Sequence, residues 1–147
     1  MGASPYWYVV KYKSDIEAAL QELRQREFSA GRYNPVIPFP PFPATASSPA
    51  PGCQHATMEE AMEDADADGT HSILDIFHIA DEPDFCCATP LSEERMHELY
   101  GTTQPTRELV ERNMDFLEEV DRGHAVYLIL FKDGKPNELM FAGYSFD

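Results

Sequence analysis

Ala125-Val126-Tyr127-Leu128-Ile129-Leu130-Phe131 and Glu138-Leu139-Met140-Phe141-Ala142-Gly143-Tyr144-Ser145-Phe146 are two apolar runs joined by Lys132-Asp133-Gly134-Lys135-Pro136-Asn137. Asp-Gly is among the strongest short-range turn signals, because both residues tolerate the positive φ that a tight hairpin turn demands. The segment therefore reads as a C-terminal β-hairpin. Moving outward, Tyr6 to Tyr12 is rich in aromatic and β-branched residues and reads as a strand. Ser72 to Ile79, with Ile73, Leu74, Ile76, Phe77 and Ile79, reads as another.

Four helices are marked by their starts and stops. Ser14-Asp15-Ile16-Glu17 has capping-box spacing, and Ile16, Ala19, Leu20 and Leu23 follow at helical intervals, which predicts a helix from Ser14 to about Ala30 closed by Gly31. Thr57-Met58-Glu59-Glu60 opens a second helix through about Ala67, with Gly69 past its end. Ser92 opens a third to Tyr100, with Glu93 and Glu94 at the positive end of its dipole. Thr106 caps a fourth, whose Leu109, Val110, Asn113, Met114, Leu117 and Val120 predict an inward stripe up to Gly123. About four helices and four strands, two of the strands sequential, predict an α+β fold with helices on one face of a largely antiparallel sheet. A chain of 147 residues is the usual size of one domain, so 1–147 is read as a single unit.

The composition changes between Asn34 and Gly52, a loop that holds seven of the 12 prolines. Proline at this density excludes helix and sheet interiors and favours polyproline II. Val36, Ile37, Phe39 and Phe42 are apolar enough to need covering, either by their own domain or by an aromatic groove of a partner, whereas Ala44 to Gly52 reads as a linker.

Charge is the second informative feature. Between Tyr33 and Glu94 there is no lysine or arginine, yet twelve carboxylates: Glu59, Glu60, Glu63, Asp64, Asp66, Asp68, Asp75, Asp81, Glu82, Asp84, Glu93 and Glu94. The formal net charge is -15, so most of it is local. A field of one sign repels nucleic acid and anionic membrane and attracts cationic surfaces or metal ions. No apolar run approaches the roughly 20 residues that cross a bilayer. The N-terminus lacks the pattern of a secretory signal, and three cysteines, two of them adjacent as Cys86-Cys87, make a poor disulfide framework. A reduced, cytoplasmic protein is expected.

Asp64-Ala65-Asp66-Ala67-Asp68-Gly69-Thr70-His71-Ser72-Ile73-Leu74-Asp75 resembles the calcium loop of the EF-hand family. The resemblance implies Asp64, Asp66, Asp68 and Asp75 as calcium ligands and Gly69 at the sharp turn. It departs from the pattern at its last ligand, Asp75 in place of a longer Glu, at His71, and in the strand-like segment that follows. Cys53-Gln54-His55 and the Cys86-Cys87 pair lack the gaps of zinc ligands, and their pairing with a histidine as a nucleophile is compositional only. GxGxxG and GxxxxGK[ST] phosphate loops are absent, which argues against a nucleotide-binding enzyme.

The sequence thus predicts a non-enzymatic, acidic protein-binding module that occupies a basic surface of a partner, of the inhibitor or immunity type. Glu59, Glu60, Glu63, Asp64, Asp66 and Asp68 are the expected contact residues. No cofactor is expected, calcium on 64–75 being the alternative; a structural or assembly role through the proline segment is the third reading.

Overall fold

Asp133 and Gly134 take φ of 53° and 75°, the two positive values of a type I′ turn. Around this turn β4 (Ala125–Lys132) and β5 (Lys135–Tyr144) pair antiparallel. The computed structural model describes residues 3–45 and 47–146, and its remaining elements are β1 (Pro5–Lys11), α1 (Ile16–Ala30), α2 (Met58–Ala65), β2 (His78–Ile79), β3 (Cys87–Pro90), α3 (Glu93–Tyr100) and α4 (Arg107–Arg112). The strands form one sheet in the order β1-β5-β4-β3-β2. β1 pairs antiparallel with β5, whereas β3 pairs parallel with both β4 and β2. The fold is α+β with five strands and a C-terminal hairpin; the fifth strand, β3, was not expected, and the sheet is mixed.

Side chains alternate across this sheet, as the strand period of two requires. Tyr6, Tyr8, Ala88, Ala125, Leu139 and Phe141 share one face with Ala19, Leu20 and Leu23 of α1 and with Ile73, Leu74 and Ile76. Leu128, Leu130, Met140 and Ala142 point the other way, to Val110, Phe116 and Leu117, with Trp7 and Val9 packed beside them. Both faces are covered, which corrects the expectation of helices on one face only. It also explains why 125–131 is an unbroken apolar run rather than an alternating one.

Helix ends follow the local chemistry closely. The N-cap of α1 is Asp15, one residue beyond the expected Ser14, and its carboxylate accepts from Ala18 N. Thr57, Ser92 and Thr106 cap α2, α3 and α4 by accepting from the amide three residues on. Two expectations failed. The helix from Thr106 stops at Arg112 and resumes only as a 3-10 turn at Asp115–Glu119. Asn113 causes the break: its Oδ1 accepts from Asp115 N and its carbonyl accepts from the Tyr100 hydroxyl, so local bonds replace the helical ones. The expected strand 72–79 is a 3-10 turn, Ile73–Asp75, followed by the two-residue β2.

The proline segment folds back on its own domain. Val36, Phe42 and Ala44 pack against the core, and the Phe42 ring meets Tyr8 edge-on at 5.1 Å. Phe39 stays 71% exposed and stacks on His71. Gly52 N donates to Ala30 O and Cys53 N to Ser29 O, which ties the far end of the loop to the end of α1.

Candidate functional site

The six acids expected to meet a partner lie on α2 and the 3-10 turn Asp66–Asp68 that continues it. Ala61 and Ala65 face inward. With about 100° between successive residues of a helix, Met58 and Met62 flank that buried line on one side, with Glu59 and Glu63 beyond them. Glu60 and Asp64 stand on the other side. The two sets do different things. Glu60 reaches back to accept from Ala56 N, completing the cap, and Asp64 lies 3.0 Å from His55 Nε2. The other His55 nitrogen meets the hydroxyl of Tyr33, a residue with 0% exposure. That chain pins the end of α2 onto the loop.

Glu59 and Glu63 instead rim a groove of about 610 Å3. Its lining includes Met58 and Met62 of α2, Gln21 and Arg24 of α1, and Phe77. Gln21 Nε2 donates to Phe77 O at 2.7 Å, and Arg24 lies over the Phe77 ring while donating to Leu74 O and Gln21 Oε1. The Arg24 Nε is buried with no hydrogen-bond partner among the described residues. Sequence reasoning missed Met58, Met62 and Phe77; the i, i+4 spacing of the two methionines beside Glu59 and Glu63 was the available signal.

Among the described residues, none of the twelve carboxylates of the lysine- and arginine-free window forms an ion pair with a lysine or arginine. Lys13, Arg26, Arg32, Arg95 and Arg107 pair instead with Glu22, Glu27, Glu98, Glu111, Glu119 and Glu138. Asp66 and Asp68 are exposed.

The four carboxylates of the EF-hand-like stretch do not come together: no three His, Cys, Asp or Glu side chains group as metal ligands among the described residues. Asp75 is turned into the core, 1% exposed. Its carboxylate accepts from Thr70 N at 3.0 and 3.1 Å and from Thr70 Oγ1 at 2.8 Å, and the Ser72 and Thr70 hydroxyls bond each other. Close by, Tyr8 Oη accepts from Ile73 N. The last ligand position of the calcium pattern is therefore spent on holding the 70–75 loop. Gly69 is required at this crossing, since a Cβ there falls 2.5 Å from the Phe146 ring and 2.7 Å from Asp75 Oδ2.

Burial pushes Asp75 up from 3.8 to about 6, against the lowering effect of the Thr70 bonds, His71 and Arg24. A carboxyl raised on folding binds its proton more tightly in the native state, so its contribution to stability falls as pH rises through about 4 to 6. Asp75→Asn cannot ionise. Its melting temperature relative to wild type is expected to climb between pH about 4 and 7, read by circular dichroism melts across that range; a constant difference would contradict the buried, ionising carboxyl.

Cys86 is buried and its thiol is pushed up to about 11, by burial first and then by Asp75, Cys87 and Asp84. Burial also raises Cys87. Both sulfurs are protonated at neutral pH, the opposite of an activated nucleophile. No helix among the described residues is long and apolar enough to cross a membrane. Comparison of the chain with protein-family models, curated proteins and solved structures gave no match.

Proposed function

We propose that the protein is an acidic binding module whose groove between α1 and α2 receives a basic, amphipathic segment of another protein. The observation that carries this reading is the rim: Glu59 and Glu63 meet no lysine or arginine among the described residues and stand beside the apolar Met58, Met62 and Phe77. Apolar side chains of the partner enter the groove, and methionines adapt to their shape because the thioether chain is unbranched and flexible. Lysines or arginines flanking those side chains meet the glutamates. Long-range attraction by the remaining window acids raises the association rate.

The test is fluorescence anisotropy with a labelled leucine-lysine amphipathic helix at low and physiological salt. Affinity is expected to fall several-fold with added salt, and several-fold in Glu59→Gln/Glu63→Gln, as for charges at a rim. Glu93→Gln/Glu94→Gln removes the same charge from α3 and is expected to change little. Equal weakening by the two double variants would refute the groove as the binding place.

A further inference from the structure

A second cavity, of about 390 Å3, lies on the sheet face opposite α1 and is within the roughly 300–1,000 Å3 of small-molecule sites. It shares no lining residue with the α1–α2 groove, so it stands apart from the function proposed above. Phe116, Leu91, Val120 and Val126 make apolar walls. Asp81, Glu119 and Asp121 add three carboxylates, and no lysine or arginine lines the space.

Thr89 points to a ligand independently of those acids. It faces the same side of β3 as the cavity, is only 6% exposed, and its hydroxyl has no hydrogen-bond partner among the described residues. Unlike the Tyr6 hydroxyl, it is not sealed in the core, so it is free to pair with a polar group entering the space. Arg95 occupies Glu119, at 3.0 Å, whereas Asp81 and Asp121 have no ion pair among the described residues. His124 Nδ1 donates to Arg122 O at 3.0 Å.

The polar groups are therefore acceptors, most of them negative, beside a wall that suits hydrocarbon. We infer that this cavity binds a primary alkylammonium group. Its alkyl chain lies against Phe116, Leu91 and Val126, and its three N–H donors are shared among Asp81, Asp121 and Thr89. Free alkylamines and the side chain of a lysine carry this same chemistry.

Heteronuclear NMR titration of the full chain at neutral pH tests the inference with four probes: n-pentylamine, n-pentanol, cadaverine and Nα-acetyl-lysine methylamide. Pentylamine is expected to give saturable shifts at residues around the cavity, and pentanol none. Asp81→Asn/Asp121→Asn, two exposed positions, is expected to weaken pentylamine by about tenfold or more, as for a lost charge-assisted hydrogen bond. Thr89→Val weakens it and Thr89→Ser restores it, while Glu59→Gln/Glu63→Gln leaves it unchanged. Tighter binding of cadaverine than of the lysine derivative assigns a free amine, and the reverse order assigns a protein lysine. Absence of saturation at millimolar pentylamine, equal binding of pentanol, or undiminished binding by the double variant would overturn the inference.

Discussion

Gly31→Ala is expected to lower stability by about 3 kcal/mol or more, the size that marks a named structural fault rather than an ordinary surface change. Gly31 ends α1 with φ 74° and ψ 22°, a left-handed conformation that costs a residue with a Cβ about 1–2 kcal/mol. The larger part comes from contact. A Cβ at this position falls 2.2 Å from Gly52 O and 2.7 Å from Gly52 C, and Gly52 cannot yield because its amide is held by Ala30 O. The proline loop would have to lift from the end of α1. Gly101 is the control, since it closes α3 at φ 72° with nothing within 4 Å of its added Cβ. Gly101→Ala is expected to cost only about 1 kcal/mol. Urea unfolding of both variants checks the difference; equal costs would mean that the loop is not seated against Gly31.

The second large effect is at Glu27, which is 0% exposed in the last turn of α1. Arg32 donates to its two oxygens at 2.9 and 2.6 Å, and Arg26 donates at 2.9 Å. Arg32 is itself nearly buried, at 11% side-chain exposure, while Arg26 is 45% exposed. Removing the carboxylate strands the Arg32 charge. Glu27→Ala is therefore expected to cost about 3–5 kcal/mol, the range for breaking a buried pair by deleting one partner. Arg26→Ala should cost under about 1 kcal/mol, because solvent already screens that half of the bridge. Denaturant midpoints for Glu27→Ala, Arg32→Ala and Arg26→Ala, expected to group as two large and one small, measure this; a large loss for Arg26→Ala would show that the outer pair carries the stability.

The two sites differ in how they are reached from the chain. The acids of α2 were read directly from the lysine- and arginine-free window, but as six equivalent residues. In the fold, Glu60 serves the cap, Asp64 meets His55, and Glu59 and Glu63 are left beside the methionines. The alkylammonium cavity was not visible at all. Thr89 and Val126 lie far apart in sequence and line one cavity because β3 pairs with the start of β4, bringing Thr89 opposite Val126.

Local chemistry was enough for everything that depends on a few neighbouring residues. The Asp133-Gly134 turn, the length of α1 and the caps at Thr57, Ser92 and Thr106 follow from side chains that reach their own backbone. The two-sided burial of the hairpin was not expected, although the unbroken apolar run from 125 to 131 carried its signal, because a strand with one wet face alternates. Tertiary structure decided the rest. The four-residue β3 exists through parallel pairing with residues 37 positions later, as Thr89 opposite Val126 shows, hence through contacts that no local propensity encodes. The helix from Thr106 ended where Tyr100 captured the Asn113 carbonyl, and Asp75 left the calcium pattern because Thr70 and the core enclosed it. In each case a buried polar group had to find a partner, and only the folded chain determined which one was within reach.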